Sequence, residues 1–485
     1  MCIERGRTKM KLTDSDKYEA DRRAYESARR WLPTISVEGA FANVFIVITG
    51  GAFLTGIALF LGANDFEIGL LGAIPFMAQL AQLFSAYLAK RAGGRKSYSV
   101  RSAIFGRQIW WLVIPVLFMP GEWRLELFFT ILVLSNLAIM TAAPVWLSWM
   151  ADIVPDRIRA RYFGFRSAGI AFSTVSATVL GGIILDKFLR SGEDATGFAV
   201  ILGFACLFAL AAVLLLRRLP DRPSDEQEAD FGRWSDVLEP FKDPNFRRLL
   251  KVFFVWNIAV GIASVFFAAH MITNLKMSFT MISLYSAVPA IMAVILNKPW
   301  GVVIDRFGSR PVIVLCALGI GLIPLIWWIP RPDFLWILGF EAIYSGALWT
   351  GFNLAAFNIP ISNSPRNKRM SYLAMFAVIT GIGYFAASIA GGFLAESFSF
   401  VHWQIGRQTI VNYHLLFGVS AVLRLLAGLL FLSFHEPKEK AIPIMVQFMG
   451  YSMLKRLSLG RQILPRGVRM IGDFVHQQRR DFHWR

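Results

Sequence analysis

Residues 301–310 read Gly301-Val302-Val303-Ile304-Asp305-Arg306-Phe307-Gly308-Ser309-Arg310. At 215 positions earlier, residues 86–95 read Ala86-Tyr87-Leu88-Ala89-Lys90-Arg91-Ala92-Gly93-Gly94-Arg95. Each stretch joins two long apolar runs, carries basic residues around a glycine turn, and closes on an arginine. At an offset of 210, Pro155, Arg159 and Tyr162 stand opposite Pro365, Arg369 and Tyr372. The same offset sets Gly181-Gly182 against Gly391-Gly392 and Asp186 against Glu396. Chance supplies one such match; several at one offset, in equivalent connections, imply a duplicated unit.

The runs between these connections are about 20 residues long, the length that spans a hydrocarbon core of roughly 30 Å. A backbone inside lipid must satisfy its own hydrogen bonds, so each run is expected to be a helix. Of the 485 residues, 55% are hydrophobic and 17% charged, with mean hydropathy +0.52. That balance excludes an ordinary soluble chain, in which about a quarter of residues are charged. Helices are expected at about 36–60, 66–89, 99–120, 126–150, 163–186 and 196–216, then at about 250–273, 280–301, 311–330, 333–357, 371–395 and 412–434.

The charge of the connections tests that count. Arg22, Arg23, Arg29 and Arg30 precede the first run; Lys90, Arg91, Arg95 and Lys96 follow the second; Arg157, Arg159 and Arg161 follow the fourth. Arg217, Arg218, Arg222, Arg247 and Arg248 lie between the sixth and seventh, Arg306 and Arg310 after the eighth, and Arg366, Lys368 and Arg369 after the tenth. The alternating connections are poor in Lys and Arg. This places all basic connections on one side and predicts both termini in the cytoplasm. The net charge of +18 therefore reads as topology and contact with anionic lipid, not nucleic-acid binding.

The chain divides into a cytoplasmic arm (1–35), a six-helix bundle (36–216), a cytoplasmic linker (217–249), a second bundle (250–434) and a basic tail (435–485), which forms either a short helix on the inner membrane surface or a solvated segment. The first 30 residues hold no apolar core, so no cleavable signal peptide is expected. Cys2, Cys206 and Cys316 have no metal or disulfide spacing.

Gly301-x-x-x-Asp305-Arg306-x-Gly308-x-Arg310 resembles the signature loop of the major facilitator superfamily, between the second and third helices of each half. With the repeat and the six-plus-six count, the resemblance covers about residues 36–434 and implies an all-α membrane fold of twelve helices in two bundles. It also implies a secondary transporter moving a small solute by alternating access, located as a monomer in a bacterial inner membrane. In the family, the acid of this loop meets a helix start in the other half and helps hold the cytoplasmic side shut. The resemblance then implies gating roles for Gly301, Asp305, Arg306, Gly308 and Arg310, with Arg159 and Arg161 opposite Asp305, and for Arg369 in the equivalent connection of the second half. The first-half copy, Lys90, Arg91, Gly93 and Arg95, departs from the pattern because Lys90 replaces the acid and Ala86 the leading glycine. A lopsided gate is expected, strong at Asp305 and weak at Lys90. The other reading is that these are only positive-inside loop residues.

In family members the first, fourth, seventh and tenth helices line the cavity. Polar groups at such depth are costly and hence informative. Glu341, about eight residues into the tenth helix, is the leading proton-site candidate, with His270 facing it from the seventh. Glu38 binds substrate or proton, or is a first-turn acid favoured by the helix dipole. Arg107, on a peripheral third helix, is expected to pair with a neighbour or snorkel. Asn43, Asn136, Asn257, Tyr344 and Asn353 are substrate candidates that equally serve as inter-helix glue. Trp146, Trp149 and Trp349 are candidates for an apolar wall. There is no G-x-x-x-x-G-K-[ST] loop, metal cluster or nucleophile–base pair, so no cofactor and no enzyme activity are expected. Protons are the expected coupling ion, and membrane lipid is an expected partner. The alternative function is a non-transporting sensor or a lipid-handling protein on the same fold.

Overall fold

A computed structural model describes residue 26 and residues 29–154, 156–221, 239–365, 368–433 and 443–448. The side chains of residues 151, 156, 157, 159–161, 369 and 370 lie outside that description, as does most of the expected linker, arm and tail.

Among the described residues the chain forms twelve successive helical rods. The first half holds α1 (Leu32–Phe60), α2 (Asp65–Arg91), α3 (95–118), α4 (Trp123–Ile153), α5 (Asp156–Arg190) and α6 (Asp194–Arg218). The second holds α7 (Pro244–Thr273), α8 (Phe279–Phe307), α9 (Ser309–Ile326), α10 (Ile337–Ser362), α11 (Arg369–Ser397) and α12 (Asn412–Ser433). Each expected run falls on one rod. Ten rods are long and apolar enough to cross a membrane. The two below that threshold, α3 and α10, are the ones diluted by Arg101 and Arg107, and by Glu341, Tyr344 and Asn353. An antiparallel hairpin, His402–Ile405 (β1) with Gln408–Val411 (β2), turns through Gly406 at φ 63° and joins α11 to α12. The sequence reading placed no element there.

The rods bend where the sequence permits. Thr49-Gly50-Gly51 breaks α1, with Gly51 at φ 51°, a conformation that costs glycine little. Pro75 lies inside α2, which tightens to a 3-10 turn at Ala81–Phe84. The two repeated loops turn on matched positions: Gly93 (φ 84°) stands 215 residues before Gly308 (φ 93°).

Packing follows a twofold pattern. Within the halves, α1 packs on α5 and α6 as α7 packs on α11 and α12. Likewise α4 packs on α2 and α3 as α10 packs on α8 and α9. Between the halves, α2 lies against α11 and α5 against α8, each pair the symmetry image of the other. Many large apolar side chains, among them Phe165, Phe172, Val294, Phe357 and Phe393, remain more than half exposed. Hydrocarbon covers such a surface; water would not tolerate it.

Candidate functional site

The rods begin and end at two levels. The linker end carries the starts of α1, α3, α5, α7, α9 and α11; the far end carries the starts of the other six. The halves are bound together most closely at the far end. There the Asp186 carboxylate of α5 accepts the backbone N–H groups of Phe279 and Thr280, at 2.8 Å each, at the start of α8. The symmetry-related carboxylate, Glu396 of α11, accepts the backbone N–H of Asp65 at 3.1 Å, at the start of α2. Each acid thus supplies negative charge and acceptors to the positive end of a helix in the other half. Asp65 itself accepts from Asn412 Nδ2 at 2.6 Å and from the Tyr413 hydroxyl.

The repeated glycine pairs allow this approach. A Cβ at Gly182 would stand 2.7 Å from the Phe279 carbonyl oxygen, and one at Gly69 would stand 2.5 Å from the Gly392 Cα. Ser388 Oγ donates to the Gly69 carbonyl at 2.9 Å, and the Phe76 and Tyr384 rings stack at 3.8 Å. Beneath the α5–α8 junction, at the bend of α1, lies a cavity of about 200 Å³ lined by Val47, Gly51, Phe53, Thr178, Phe279, Ser283 and Ser286, among others. Toward the linker end, Gly164 and Gly169 of α5 have nothing within 4 Å of where a Cβ would sit.

The gating candidates at the linker end are separated. Lys90, Arg91, Asp305 and Arg306 are exposed. Arg95 pairs with Asp152 of α4 and donates to Ser148 at 2.8 Å, within its own half. Arg310 donates to the carbonyls of Phe431 and Leu432 at the end of α12, where a cation is favoured. Arg306 lies 4.2 Å over the ring of Phe448, so the helical turn at 443–448 folds back onto α8. A Cβ at Gly301 would meet only Leu354, at 4.0 Å. The side chains of Arg159 and Arg161, expected opposite Asp305, and of the gating candidate Arg369 lie outside the described residues.

Two buried polar clusters occupy the halves. In the first, Glu38 of α1, 2% exposed, lies 3.6 Å from Arg107 Nη1 of α3 and 3.8 Å from Arg166 Nη2 of α5. The helix begins at Leu32, with Pro33 in its first turn, so Glu38 lies beyond that turn and the dipole reading fails. Arg107 turns inward to this pair. Arg166 was missed by the sequence reading, although an arginine ten residues into a spanning helix is itself a signal. Asn43 is glue between α1 and α5: its Nδ2 donates to Thr174 Oγ1 at 2.7 Å and to the Ile170 carbonyl at 3.3 Å.

In the second half, Glu341 is fully buried and its Oε2 accepts from the Tyr285 hydroxyl at 2.6 Å. Its Oε1 has no hydrogen-bond partner among the described residues. Because α10 starts at Ile337, Glu341 lies about 6 Å from the far end, half the expected depth. Trp327, Ser345 and the charge of Arg424 also act on it. The expected pairing with His270 is not formed. The His270 ring packs edge-on against Trp327 at 6.3 Å and His414 at 5.0 Å, and both its nitrogens lack a hydrogen bond among the described residues. Arg424, 2% exposed on α12, was also missed; it is a lone arginine in an apolar run.

Two of the remaining candidates bond within their own helix and one bonds a neighbouring helix. Asn136 donates to the Leu132 carbonyl at 2.9 Å and Asn257 to that of Phe253 at 2.8 Å, each on its own helix. Tyr344 donates to the Gly319 carbonyl of α9 at 3.1 Å.

The chain resembles proteins of known role. A curated relative, the minor myo-inositol transporter IolF of Bacillus subtilis (strain 168), is 27% identical over 252 residues, 48% of this chain and 54% of that protein. The chain spans about half the length of the curated relatives it matches. A crystal structure of a mutant of the nucleoside transporter NupG superposes with TM-score 0.67 at 15% identity, covering 84% of this chain and all of that one. The D-xylose–proton symporter superposes with TM-score 0.62 at 14% identity, covering 84% and 98%. At these identities the superpositions establish the fold alone. The sequence profile of the Major Facilitator Superfamily matches residues 39–273 and 258–447. With nearly all of the membrane part covered by these two matches of one profile, the chain belongs to the Major Facilitator Superfamily.

Proposed function

We propose that this protein is a secondary transporter that moves a small solute by rocking its two bundles, each as a near-rigid body, about a site between them. The observation that carries this reading is the far-end junction. Two symmetry-related acids bridge the halves there, while the signature-loop residues Asp305, Lys90 and Arg91 are exposed at the other end. Such a junction is closed and opened as a unit. The conformation described is shut at the far end, and the charge bias of the connections assigns the linker end to the cytoplasm, with twelve spans and both termini inside. The 200 Å³ cavity between α1, α5 and α8 sets the scale of the solute.

The relatives carry myo-inositol, nucleosides or D-xylose by name, and these are the first solutes to test. Proton coupling rests on Glu341, buried with one oxygen unpartnered, and on the symporter among the fold neighbours. The test is uptake of labelled solute into proteoliposomes with and without an imposed proton gradient. Gradient-driven accumulation supports the reading. Equilibration that ignores the gradient removes the proton, and no movement of any solute removes transport.

One observation favours lipid handling instead. A larger cavity of about 560 Å³ opens between α2, α3 and α4 of the first half, lined by apolar residues with Arg91, Arg101 and Tyr98 at the linker-end level. It lies within one half rather than between the two, so it would serve a lipid rather than an alternating-access solute.

A further inference from the structure

The charges of the two buried clusters do not match. In the second half one carboxylate, Glu341, is set against one guanidinium, Arg424. In the first half a single carboxylate, Glu38, faces two guanidiniums, Arg107 and Arg166. Among the described residues no other acid acts on Glu38 or Arg107; the remaining partners of the cluster, such as Tyr162 and Ser36, are uncharged. One positive charge is therefore left over in a medium where an uncompensated charge is expensive.

The contacts are also slack. Both ion pairs, at 3.6 and 3.8 Å, exceed the roughly 2.7–2.9 Å of a charge-assisted hydrogen bond. Arg107 Nη1 is buried without a hydrogen bond among the described residues.

Arg166 is the member held ready. Its guanidinium lies across Gly39, where a Cβ would stand 2.5 Å from Nη2, so a larger residue at position 39 would push the guanidinium aside. It stacks over the Trp146 ring at 5.0 Å and its Nε donates to the Ile35 carbonyl at 3.5 Å; its side chain is 15% exposed, as is that of Arg107. Three residues further along α5, on nearly the same face, Gly169 is exposed and a Cβ there would meet nothing within 4 Å. A guanidinium whose Nη2 makes only a 3.8 Å contact to its acid, with a flat aromatic support and open space alongside, suits a planar oxyanion, which it grips by two parallel N–H bonds.

We propose that Arg166 receives the negative group of a monoanionic solute, a carboxylate or an oxyanion of similar shape, with Glu38 holding the guanidinium in the empty state and Arg107 balancing Glu38. The proposal rests on the transport reading and names its substrate class.

The test measures thermal stability of the purified full-length protein at constant ionic strength. Potassium nitrite, formate, acetate and benzoate are titrated against potassium chloride, and myo-inositol, D-xylose and uridine serve as uncharged probes. The expected result is stabilisation by at least one oxyanion beyond chloride. Arg166→Gln abolishes that response, whereas Glu38→Gln strengthens it, because the competing carboxylate is gone. Should Arg166→Gln fail to fold, Arg166→Lys keeps the charge without the fork and weakens the response about tenfold. A purely structural triad gives the opposite pattern: both variants melt earlier and neither changes the anion response, which overturns the proposal. Stabilisation by an uncharged probe alone overturns the anion class and leaves transport standing. If no probe of either class binds, or exchanges in proteoliposomes, both readings fall.

Discussion

Replacing Asp186 by asparagine removes a full charge and one of two acceptor oxygens from the start of α8. In the structure that carboxylate takes two backbone N–H groups, each at 2.8 Å, across the boundary between the halves. Hydrogen bonds to a charged group contribute about 1.5–3 kcal/mol, and the helix dipole adds roughly 0.3–1 kcal/mol. The asparagine keeps one neutral bond of about 1 kcal/mol, so the far-end-shut state loses at least about 2 kcal/mol in total. With the far end open, water solvates Asp or Asn alike and little changes. The equilibrium then shifts toward far-end opening by at least about 30-fold. The symmetry mate predicts its own, smaller effect. Glu396→Gln weakens a single bond of 3.1 Å, about 1 kcal/mol, hence roughly fivefold.

The assay places a cysteine at Ser286, in the cavity beneath the junction, with Cys2 replaced and Cys206 and Cys316 left buried. An impermeant maleimide is applied from the far-end side, and the labelling rate reports the open fraction. The reasoning is refuted if Asp186→Asn, still monodisperse, labels no faster than the parent, or if Glu396→Gln exceeds it.

Gly69→Ala puts a Cβ 2.5 Å from the Gly392 backbone, so it should separate α2 from α11 and raise the same labelling rate without touching a charge. Arg107→Met should cost only about 1 kcal/mol of stability, because Glu38 keeps Arg166 as a counter-charge, whereas adding Glu38→Gln leaves Arg166 without its acid and should cost about 3–5 kcal/mol more; the melting temperatures of the two variants check the order. Glu341→Gln keeps a partner for the Tyr285 hydroxyl, so solute exchange should persist in proteoliposomes while accumulation driven by a proton gradient is lost; retained accumulation would move the coupling site elsewhere.

What the sequence determined by itself was the architecture and its symmetry. Spanning helices announce themselves as apolar runs, because lipid leaves a backbone no other way to satisfy its hydrogen bonds. The matches of Asp186 with Glu396 and of the two glycine pairs were likewise legible, since duplication preserves residue identity at a fixed offset. Their role was not, because the groups they meet, the N–H donors of Asp65, Phe279 and Thr280, are backbone and have no letter in the sequence. Only the tertiary structure decided what each buried charge faces. Hydropathy is blind to the rotation of a helix about its axis, and that rotation turned Arg107 inward to Glu38 and set Trp327 beside both Glu341 and His270. Helix starts mattered as much. A shift of four residues at α10 halved the depth of Glu341, and the early start of α1 carried Glu38 past the turn where a dipole could account for it.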